Sequence, residues 1–243
     1  MLTWLKSHYH AQAMHPGPLG LLVNPFYFAR RELLIAMREL GHEIGGRVLD
    51  VGCGDRPYER LIGAREYVGL ELDTPESRAR NRADVYYDGH HFPFADGSFD
   101  GVLCNQVLEH VFSPDDFLRE VARVLKEGGR LLLTVPFVWD EHEQPRDYGR
   151  YSSYGLAALL ARNGFELLQA RKTAADVRAL CQMVNAYLYK VTVTRHPYLN
   201  LFATLALMAP FNVAGALLAR VTPSNPDFYL DNVVLARKAA RPA

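Results

Sequence analysis

The chain has 243 residues, a length that fits one α/β domain with an added segment. Lys plus Arg and Asp plus Glu both total 27, so the formal net charge is zero and no nucleic-acid partner is expected. Three widely spaced cysteines without zinc-ligand spacing indicate a reduced, cytoplasmic chain, and no metal site is predicted. The first residues lack a continuous apolar run, so no signal peptide is predicted either.

Helical and strand patterns alternate along the chain. Helices are predicted over 25–40, from Pro57 for a short stretch, over 114–126 and over 152–163. Strands are predicted over 47–51, 67–72, 84–88, 99–105, 130–135, 165–172 and 232–238. The repeated β-α-β pattern predicts an α/β fold with a mainly parallel, seven-stranded sheet and helices on both faces. Such sheets bind ligands beyond the carboxyl ends of their strands.

The first predicted strand ends near Asp50 and continues into a loop with two glycines, Gly52 and Gly54. Glycines at these positions allow a sharp turn and a close approach of the backbone to a ligand. A dinucleotide-binding loop carries a third glycine where this chain has Pro57, and it holds a pyrophosphate at a helix N-terminus. Asp50 and Asp55 would repel a pyrophosphate. The loop therefore favours a cationic ligand without phosphate over a nicotinamide dinucleotide.

The stretch VLDVGCGD (48–55) resembles the first motif of class I S-adenosylmethionine (SAM)-dependent methyltransferases, which is hydrophobic-hydrophobic-Asp-hydrophobic-Gly-x-Gly. The stretches YVGLELD, DGHHFPFADGSFDGVLCNQVLEHV and LKEGGRLLLTVP resemble the family's later blocks, in order and at family spacing. The resemblance covers about residues 47–136 and is to the type 11 branch. It implies a Rossmann-like class I methyltransferase fold, with SAM as the cofactor.

The resemblance also implies cofactor-binding roles for residues at the strand ends. Glu71 would bind both ribose hydroxyls, because a carboxylate can accept two hydrogen bonds at once, and Asp73 is the competing carboxylate. Asp88 would accept a hydrogen bond from the adenine amino group, with a turn-forming role as the alternative. The predicted cofactor-binding residues are Asp50, Gly52, Cys53, Gly54, Glu71, Leu72, Asp88, Gly89, His90, Asn105 and Gln106.

The segment FVWDEHEQPRDYGRYSSYGL (137–156) is similar to a bacterial subset of type 11 methyltransferases that is linked to polysaccharide or lipid modification. His142 is the predicted base for an acceptor hydroxyl, and Tyr148 is a second candidate catalytic residue. A structural histidine in a charged loop is the alternative for His142. We expect methyl transfer to a small-molecule, saccharide or lipid-linked acceptor. A nicotinamide oxidoreductase and a methyltransferase-like scaffold that binds a partner are the competing classes.

Residues 197–219 carry no charged side chain, and an uncharged stretch of this length could span a bilayer. Pro210 divides this run, and each arm of about ten residues would be only about 15 Å long as a helix. We therefore predict a helical pair over about 197–222, inserted before the last strand. Its outer face could be buried, form a homodimer interface or contact a membrane or lipid-linked acceptor from the cytoplasmic side. A true membrane span is the remaining alternative.

The domain prediction is one methyltransferase domain over residues 1–243. Within it we expect an N-terminal helical cap (1–46), a SAM-binding core (47–136) and an acceptor-side half (137–243) that contains the apolar insertion.

Overall fold

The structure, a computed structural model, describes residue 12 and residues 14–240. Part of the predicted N-terminal cap therefore lies outside the described residues. Contacts between residues divide the chain into two compact units. The sheet unit comprises Ala36–Phe137, Glu141–Arg171 and Asn232–Ala243, and the helical unit comprises Met1–Ile35, Val138–Asp140 and Lys172–Asp231. The single domain expected from the sequence stays a prediction, and the two units are described separately.

The sheet unit is built on a seven-stranded sheet with strand order β3-β2-β1-β4-β5-β7-β6. The strands are β1 (Gly45–Val51), β2 (Gly63–Leu72), β3 (Val85–Tyr87), β4 (Phe99–Asn105), β5 (Leu125–Pro136), β6 (Phe165–Lys172) and β7 (Asp231–Lys238). The pairings from β3 across to β5 are parallel. The chain moves outward from β1 to β3 and returns to β4 on the other side of β1. This reversal marks the crevice in which open α/β sheets bind ligands, and the predicted Rossmann-like fold is confirmed.

The helices are α1 (Gly20–Val23), α2 (Tyr27–Leu40), α3 (Pro75–Arg80), α4 (Pro114–Val124), α5 (Ser153–Arg162), α6 (Val177–Thr192) and α7 (Pro197–Leu218). The sequence prediction missed α3 and α6. It also placed a helix at Pro57, where the structure has only a 3-10 turn, Glu59–Leu61. That prediction was wrong: Pro57 suits a helix start, but the short segment between it and β2 makes a single turn.

The central strands lie in a continuous apolar core. Leu49 and Val51 on β1, Val102 on β4 and Leu131 and Leu133 on β5 are fully buried. Parallel strands covered on both faces are expected to show this nearly unbroken burial. The core holds the sheet rigidly, so the loops at the carboxyl ends of β1, β2 and β4 start from fixed positions.

In the helical unit, α7 is one continuous helix and not the predicted pair. A π-helical turn at Thr204–Met208 joins Pro197–Ala203 to Ala209–Leu218. Pro210 lies in the first turn after this widened segment, a position where its missing N–H is tolerated. With a rise of about 1.5 Å per residue, α7 is roughly 33 Å long. By length and composition alone it could therefore cross a bilayer.

One side of α7 is anchored within the helical unit. A Cβ on Gly215 would lie 2.9 Å from the ring of Phe28 and 3.1 Å from Cβ of Cys181, so glycine allows close packing here. Asn212 is buried and donates hydrogen bonds to the carbonyls of Leu21 and Asn24. It also accepts one from the amide of the buried Asn185, at 2.9 Å. A polar network of this kind fixes α7 against α1 and α6, because its buried amides would be costly to leave without partners.

Candidate active site

The loop after β1 holds its two glycines in left-handed conformations, with φ of 69° at Gly52 and 49° at Gly54. A Cβ on Gly52 would lie 2.5 Å from Cγ2 of Val107, so the loop packs closely on the segment that follows β4. A Cβ on Gly54 would meet no atom within 4 Å. Gly54 therefore leaves open space against the backbone at the crevice between β1 and β4.

Glu71 lies at the carboxyl end of β2 and faces this loop. The Gly54 N–H donates to Oε2 of Glu71 at 2.9 Å, and the Leu72 N–H donates to Oε1 at 3.3 Å. Asp73 instead forms two hydrogen bonds of 2.8 Å with Arg78, which lower the pKa of its carboxyl. The structure therefore brings Glu71, and not Asp73, to the Gly54 backbone. Two of the four lone-pair positions of the Glu71 carboxylate remain for a ligand.

Arg56 shapes the rest of the loop. It has a positive φ of 52° and forms an ion pair with Asp84, with 2.5 Å between Nη2 and Oδ2. A Cβ on Gly69 would lie 2.8 Å from the Arg56 guanidinium, so glycine on β2 makes room for that side chain. Only the 3-10 turn Glu59–Leu61 follows the loop. The segment between β1 and β2 thus lacks the helix N-terminus on which dinucleotide folds place a pyrophosphate.

Asp50 and Cys53, two of the predicted cofactor-binding residues, are buried inside the protein. The Tyr67 hydroxyl donates to Oδ2 of Asp50 at 2.5 Å, and only 4% of Asp50 is exposed. Burial raises the pKa of the Asp50 carboxyl to about 7, although the Tyr67 hydrogen bond opposes that shift. Burial, followed by the Asp50 charge, raises the pKa of the Cys53 thiol to about 12. Both side chains support the loop from inside the protein, and their direct contact with a cofactor stays a prediction.

The residues after β3 form a turn beside the end of β2. Oδ1 of Asp88 accepts hydrogen bonds from the N–H groups of His90 and His91, at 2.8 and 3.0 Å. These bonds lower the pKa of the Asp88 carboxyl and match the turn-forming role left open by the sequence. A Cβ on Gly89 would lie 3.0 Å from Cδ1 of Leu72. The structure therefore brings together Leu72 and Gly89, two residues predicted to contact the adenine.

The end of β4 is held by Thr134, a residue that the sequence prediction missed. The Thr134 hydroxyl donates to Oδ1 of Asn105 at 2.9 Å and accepts from the backbone and side-chain nitrogens of Gln106, at 3.1 and 3.2 Å. Gln106 has a φ of 55°, in a region that is costly for a residue with a Cβ. Strained backbone of this kind is concentrated at ligand sites. Asn105 and Gln106 thus follow β4 in a fixed conformation, on the opposite side of β1 from Glu71.

His142 lies in the loop after β5 with a carboxylate beside its ring. Asp147 accepts a hydrogen bond from the His142 N–H at 2.9 Å, and its Oδ2 lies 3.4 Å from Nδ1 of the same residue. Arg150 donates to both Asp147 oxygens, at 2.6 and 2.8 Å. The Arg150 guanidinium lowers the pKa of the Asp147 carboxyl to about 2, so Asp147 is ionised throughout the neutral range. The Arg150 Nη2 lies 3.4 Å from the same ring nitrogen, so a carboxylate and a guanidinium both border Nδ1 of His142.

The loop is tied to the residues that follow β4. The N–H groups of Tyr148 and Gly149 donate to the carbonyl of Glu109, at 2.8 and 3.1 Å. Nδ1 of His110 lies 2.5 Å from the carbonyl of Arg146, and the rings of His110 and His142 meet edge to face with 4.8 Å between centroids. His142 is therefore held beside the segment that begins at Gln106.

Tyr148 reaches the surface of this loop, where about half of it is exposed. Its ring packs edge to face on Phe112, with 5.4 Å between centroids. Phe112 is 80% exposed, and the sequence prediction did not select it. The pair forms an open aromatic surface after β4. A catalytic role for Tyr148 stays a prediction.

Glu109, His110 and His142 offer one ligand atom each, all within 4.8 Å of one another. The contacts of His110 and His142 described above already account for one nitrogen of each ring. The prediction that the site holds no metal stays a prediction.

Residues 49–133 match the model of the methyltransferase domain family, over about a third of the chain. A "probable S-adenosylmethionine-dependent methyltransferase" of Mycolicibacterium smegmatis is 35% identical over 125 residues, which cover 48% of each chain. The 27-O-demethylrifamycin SV methyltransferase of Amycolatopsis mediterranei is 36% identical over 103 residues, 37% of this chain and 38% of that protein. The chain thus spans about half or less of the length of these relatives.

Solved structures share the fold at low sequence identity. An S-adenosylmethionine-dependent methyltransferase from Mesorhizobium loti has a TM-score of 0.53 and 18% identity, covering 86% of this chain and 99% of its own. A Haemonchus contortus phosphoethanolamine N-methyltransferase in complex with S-adenosyl-L-methionine has a TM-score of 0.54 and 18% identity, covering 95% and 59%. The [4+2]-cyclase SpnF has a TM-score of 0.56 and 22% identity, covering 86% and 81%. Since a cyclase shares the fold, the fold alone does not identify the reaction.

Proposed function

We propose that this protein, whose residues 49–133 match the methyltransferase domain family, transfers a methyl group from SAM to a small-molecule, saccharide or lipid-linked acceptor. The contact between the Gly54 N–H and the Glu71 carboxylate supports this proposal most directly. This contact joins the ends of β1 and β2 at the crevice. It leaves open space at Gly54, with the anionic Glu71 carboxylate beside that space. A ligand with a ribose diol and a positive charge fits that chemistry better than a pyrophosphate does.

The residues at the strand ends would hold the cofactor. The Glu71 carboxylate would accept from the two ribose hydroxyls, and Leu72 and Gly89, which lie side by side, would border the adenine. Asn105 and Gln106, fixed by Thr134, would border the methionine portion. When bound, SAM supplies an electrophilic methyl group on a sulfonium centre. The protein therefore needs mainly to position the acceptor and to remove its proton.

His142 is the residue best placed to take that proton. Asp147, ionised and clamped by Arg150, lies at Nδ1 of the ring. With a proton on Nδ1, the other ring nitrogen, Nε2, is the base that accepts the acceptor's proton. The Asp147 carboxylate would then orient the ring, in the manner of a carboxylate that holds a catalytic histidine, with the Arg150 Nη2 3.4 Å from the same nitrogen. The edge-to-face contact with His110 limits rotation of the His142 ring.

The surface beside His142 indicates the acceptor class. Phe112 and Tyr148 form an exposed aromatic pair in the segment and loop that flank His142. Aromatic side chains of this kind offer a flat apolar surface with one polar end, which suits a ligand that is partly apolar and carries hydroxyls. This supports a hydroxyl-bearing saccharide or a lipid-linked acceptor over a small, highly charged one.

Release of S-adenosylhomocysteine in the presence of SAM and a panel of acceptors tests the proposal. We expect release with at least one acceptor class, a loss of release in His142→Asn, and normal release in His42→Asn. His42 is a suitable control because its side chain is 69% exposed on the same unit. Binding of SAM without release for any acceptor would favour the partner-binding scaffold. Conversion of an acceptor without release would favour a different reaction on the same fold.

A further inference from the structure

The exposed apolar side chains of this protein are concentrated in the helical unit. Among the described residues, all but five of the exposed large hydrophobic side chains lie in that unit. The five others are Phe112, Tyr148, Tyr154, Leu167 and Leu168. Single exposed hydrophobic residues are normal on soluble proteins, but a concentration of them marks an interaction surface.

On α6 the exposed residues form one stripe. Leu180, Val184, Tyr187 and Val191 follow the three- and four-residue spacing of one helix face, and 55% of Leu180, 68% of Tyr187 and 60% of Val191 are exposed. The opposite face of α6 carries the buried residues, Ala179, Gln182, Asn185 and Ala186 among them. The helix is therefore apolar on its outer face, where a soluble helix would carry polar side chains.

On α7 most of the length is exposed. Only 28% of its most apolar window is buried, although its mean hydropathy of 1.9 is that of a core helix. Tyr198, Leu199, Phe202, Leu205 and Leu217 project outward, each at least 45% exposed. These residues and the α6 stripe are called the apolar surface below.

The charges carried by this part of the sequence have one sign. No Asp or Glu occurs between Asp176 and Asp227, although the whole chain has as many acidic residues as Lys and Arg. The same stretch contains four cations: Arg178 pairs with Glu32 and Asp176, Lys190 pairs with Asp140, and Arg195 and Arg220 flank α7. Arg195 precedes the first turn of α7, and Arg220 follows its last turn. An apolar helix with a cation at each end and no carboxylate in the flanking sequence complements an anionic, partly apolar surface.

We propose that the apolar surface binds the face of an anionic lipid bilayer, with α7 lying in the plane of the membrane. Apolar side chains would enter the boundary between headgroups and acyl chains. Tyr187 and Tyr198 carry both an apolar ring and a hydroxyl, as side chains at this depth commonly do. Arg195 and Arg220 would bind lipid phosphates. This inference depends on the helical unit alone and not on the proposed reaction.

The anchored side of α7 argues for an in-plane helix over a span. Asn212 and Asn185 form a buried polar network with the carbonyls of α1, and Gly215 packs on Phe28. A helix surrounded by lipid would expose those amides to hydrocarbon, where polar groups without partners are costly. A helix in the plane of the membrane keeps this network inside the protein and turns only the outer face to lipid.

Flotation with vesicles tests the proposal. The full chain is mixed with vesicles of phosphatidylcholine plus phosphatidylglycerol, or of phosphatidylcholine alone. We expect the wild type to float with the anionic vesicles. Phe202→Glu/Leu217→Glu should reduce the bound fraction more than about tenfold, since each change removes a large apolar side chain from the interface and adds a charge. Arg195→Gln/Arg220→Gln should reduce binding to the anionic vesicles and leave binding to neutral ones unchanged.

Leu167→Glu/Leu168→Glu is the matched control. Both residues are about 40% exposed, on β6 of the sheet unit, so this variant should float as the wild type does. Thermal unfolding and circular dichroism establish that every variant is folded. Absence of flotation by the wild type, with a dimer in sedimentation, would overturn the proposal in favour of a second copy on this surface. Equal flotation of Phe202→Glu/Leu217→Glu, or protease protection of one end of α7 across the bilayer, would overturn it as well.

Discussion

Replacing Glu71 with glutamine is expected to weaken cofactor binding selectively. Two of the acceptor positions of the carboxylate are used by the N–H groups of Gly54 and Leu72, which leaves two for the ribose hydroxyls. In Glu71→Gln the side chain has one oxygen and one NH2 group, so one of those backbone donors would face another donor. Hydrogen bonds to a charged group contribute about 1.5–3 kcal/mol. The dissociation constant should therefore rise about 10- to 150-fold.

Asp73→Asn is the matched control for this prediction. It makes the same change two residues away, where the carboxylate binds Arg78 at the surface. We expect less than about a threefold change in affinity, because exposed ion pairs contribute little. Titration calorimetry with S-adenosylhomocysteine measures both variants, and thermal unfolding with circular dichroism establishes that each is folded. A larger effect from Asp73 would show that the wrong carboxylate was assigned to the ribose, and no effect from either would place the ribose elsewhere.

Three further predictions concern the loops of the site. Gly54→Ala should weaken S-adenosylhomocysteine binding at least tenfold, whereas Gly128→Ala should not. Both glycines have a positive φ and open space at the Cβ position, so both variants carry the same backbone strain of about 1–2 kcal/mol and only Gly54→Ala changes a ligand contact. Asp147→Asn should lower the free energy of unfolding at pH 7 by about 2 kcal/mol. This difference should disappear as the pH falls from about 4 to about 2, because the depressed pKa of Asp147 stabilises the native state only above that range. Urea denaturation measures the difference, and an unchanged difference at pH 2 would contradict the ion pair with Arg150. Because the pKa of Asp50 is raised in the folded protein, ionisation of this carboxyl should cost the wild type up to about 4 kcal/mol of stability between pH 4 and pH 7. Asp50→Asn should remove that part of the pH dependence. Identical pH profiles of the two proteins in the same denaturation assay would refute this prediction.

The sequence predicts the strands of the sheet better than the helices around it. The predicted bounds of β4 and β6 match the structure: β4 is a short, largely apolar stretch after the turn at Gly97, and β6 begins directly after Gly164. The helix α6 was missed because its sequence does not oppose an apolar buried face to a polar exposed one: Gln182 and Asn185 are buried, and the exposed face is apolar. The predicted pair at Pro210 was wrong because a π-helical turn accommodates the proline, a feature that composition does not show.

The cofactor end of the candidate site follows from the sequence more closely than the acceptor end does. Glu71 and Gly54 could both be assigned to the cofactor because they match motifs of the family that the sequence resembles. The partners that fix the site come from distant positions or from side-chain packing: Thr134 on β5 holds the end of β4, and Tyr67 covers Asp50. No periodicity in the chain indicates such pairs, since they depend on strand register.

The most direct measurement of the central claim is titration calorimetry of the wild-type protein with S-adenosylhomocysteine and, separately, with NADH. We expect saturable binding of S-adenosylhomocysteine at one site and no binding of NADH, because Glu71 at the end of β2 can accept from a ribose and the segment after β1 has no helix N-terminus for a pyrophosphate. Competition by SAM for the same site should follow. Binding of NADH, or no binding of S-adenosylhomocysteine by the folded protein, would contradict it.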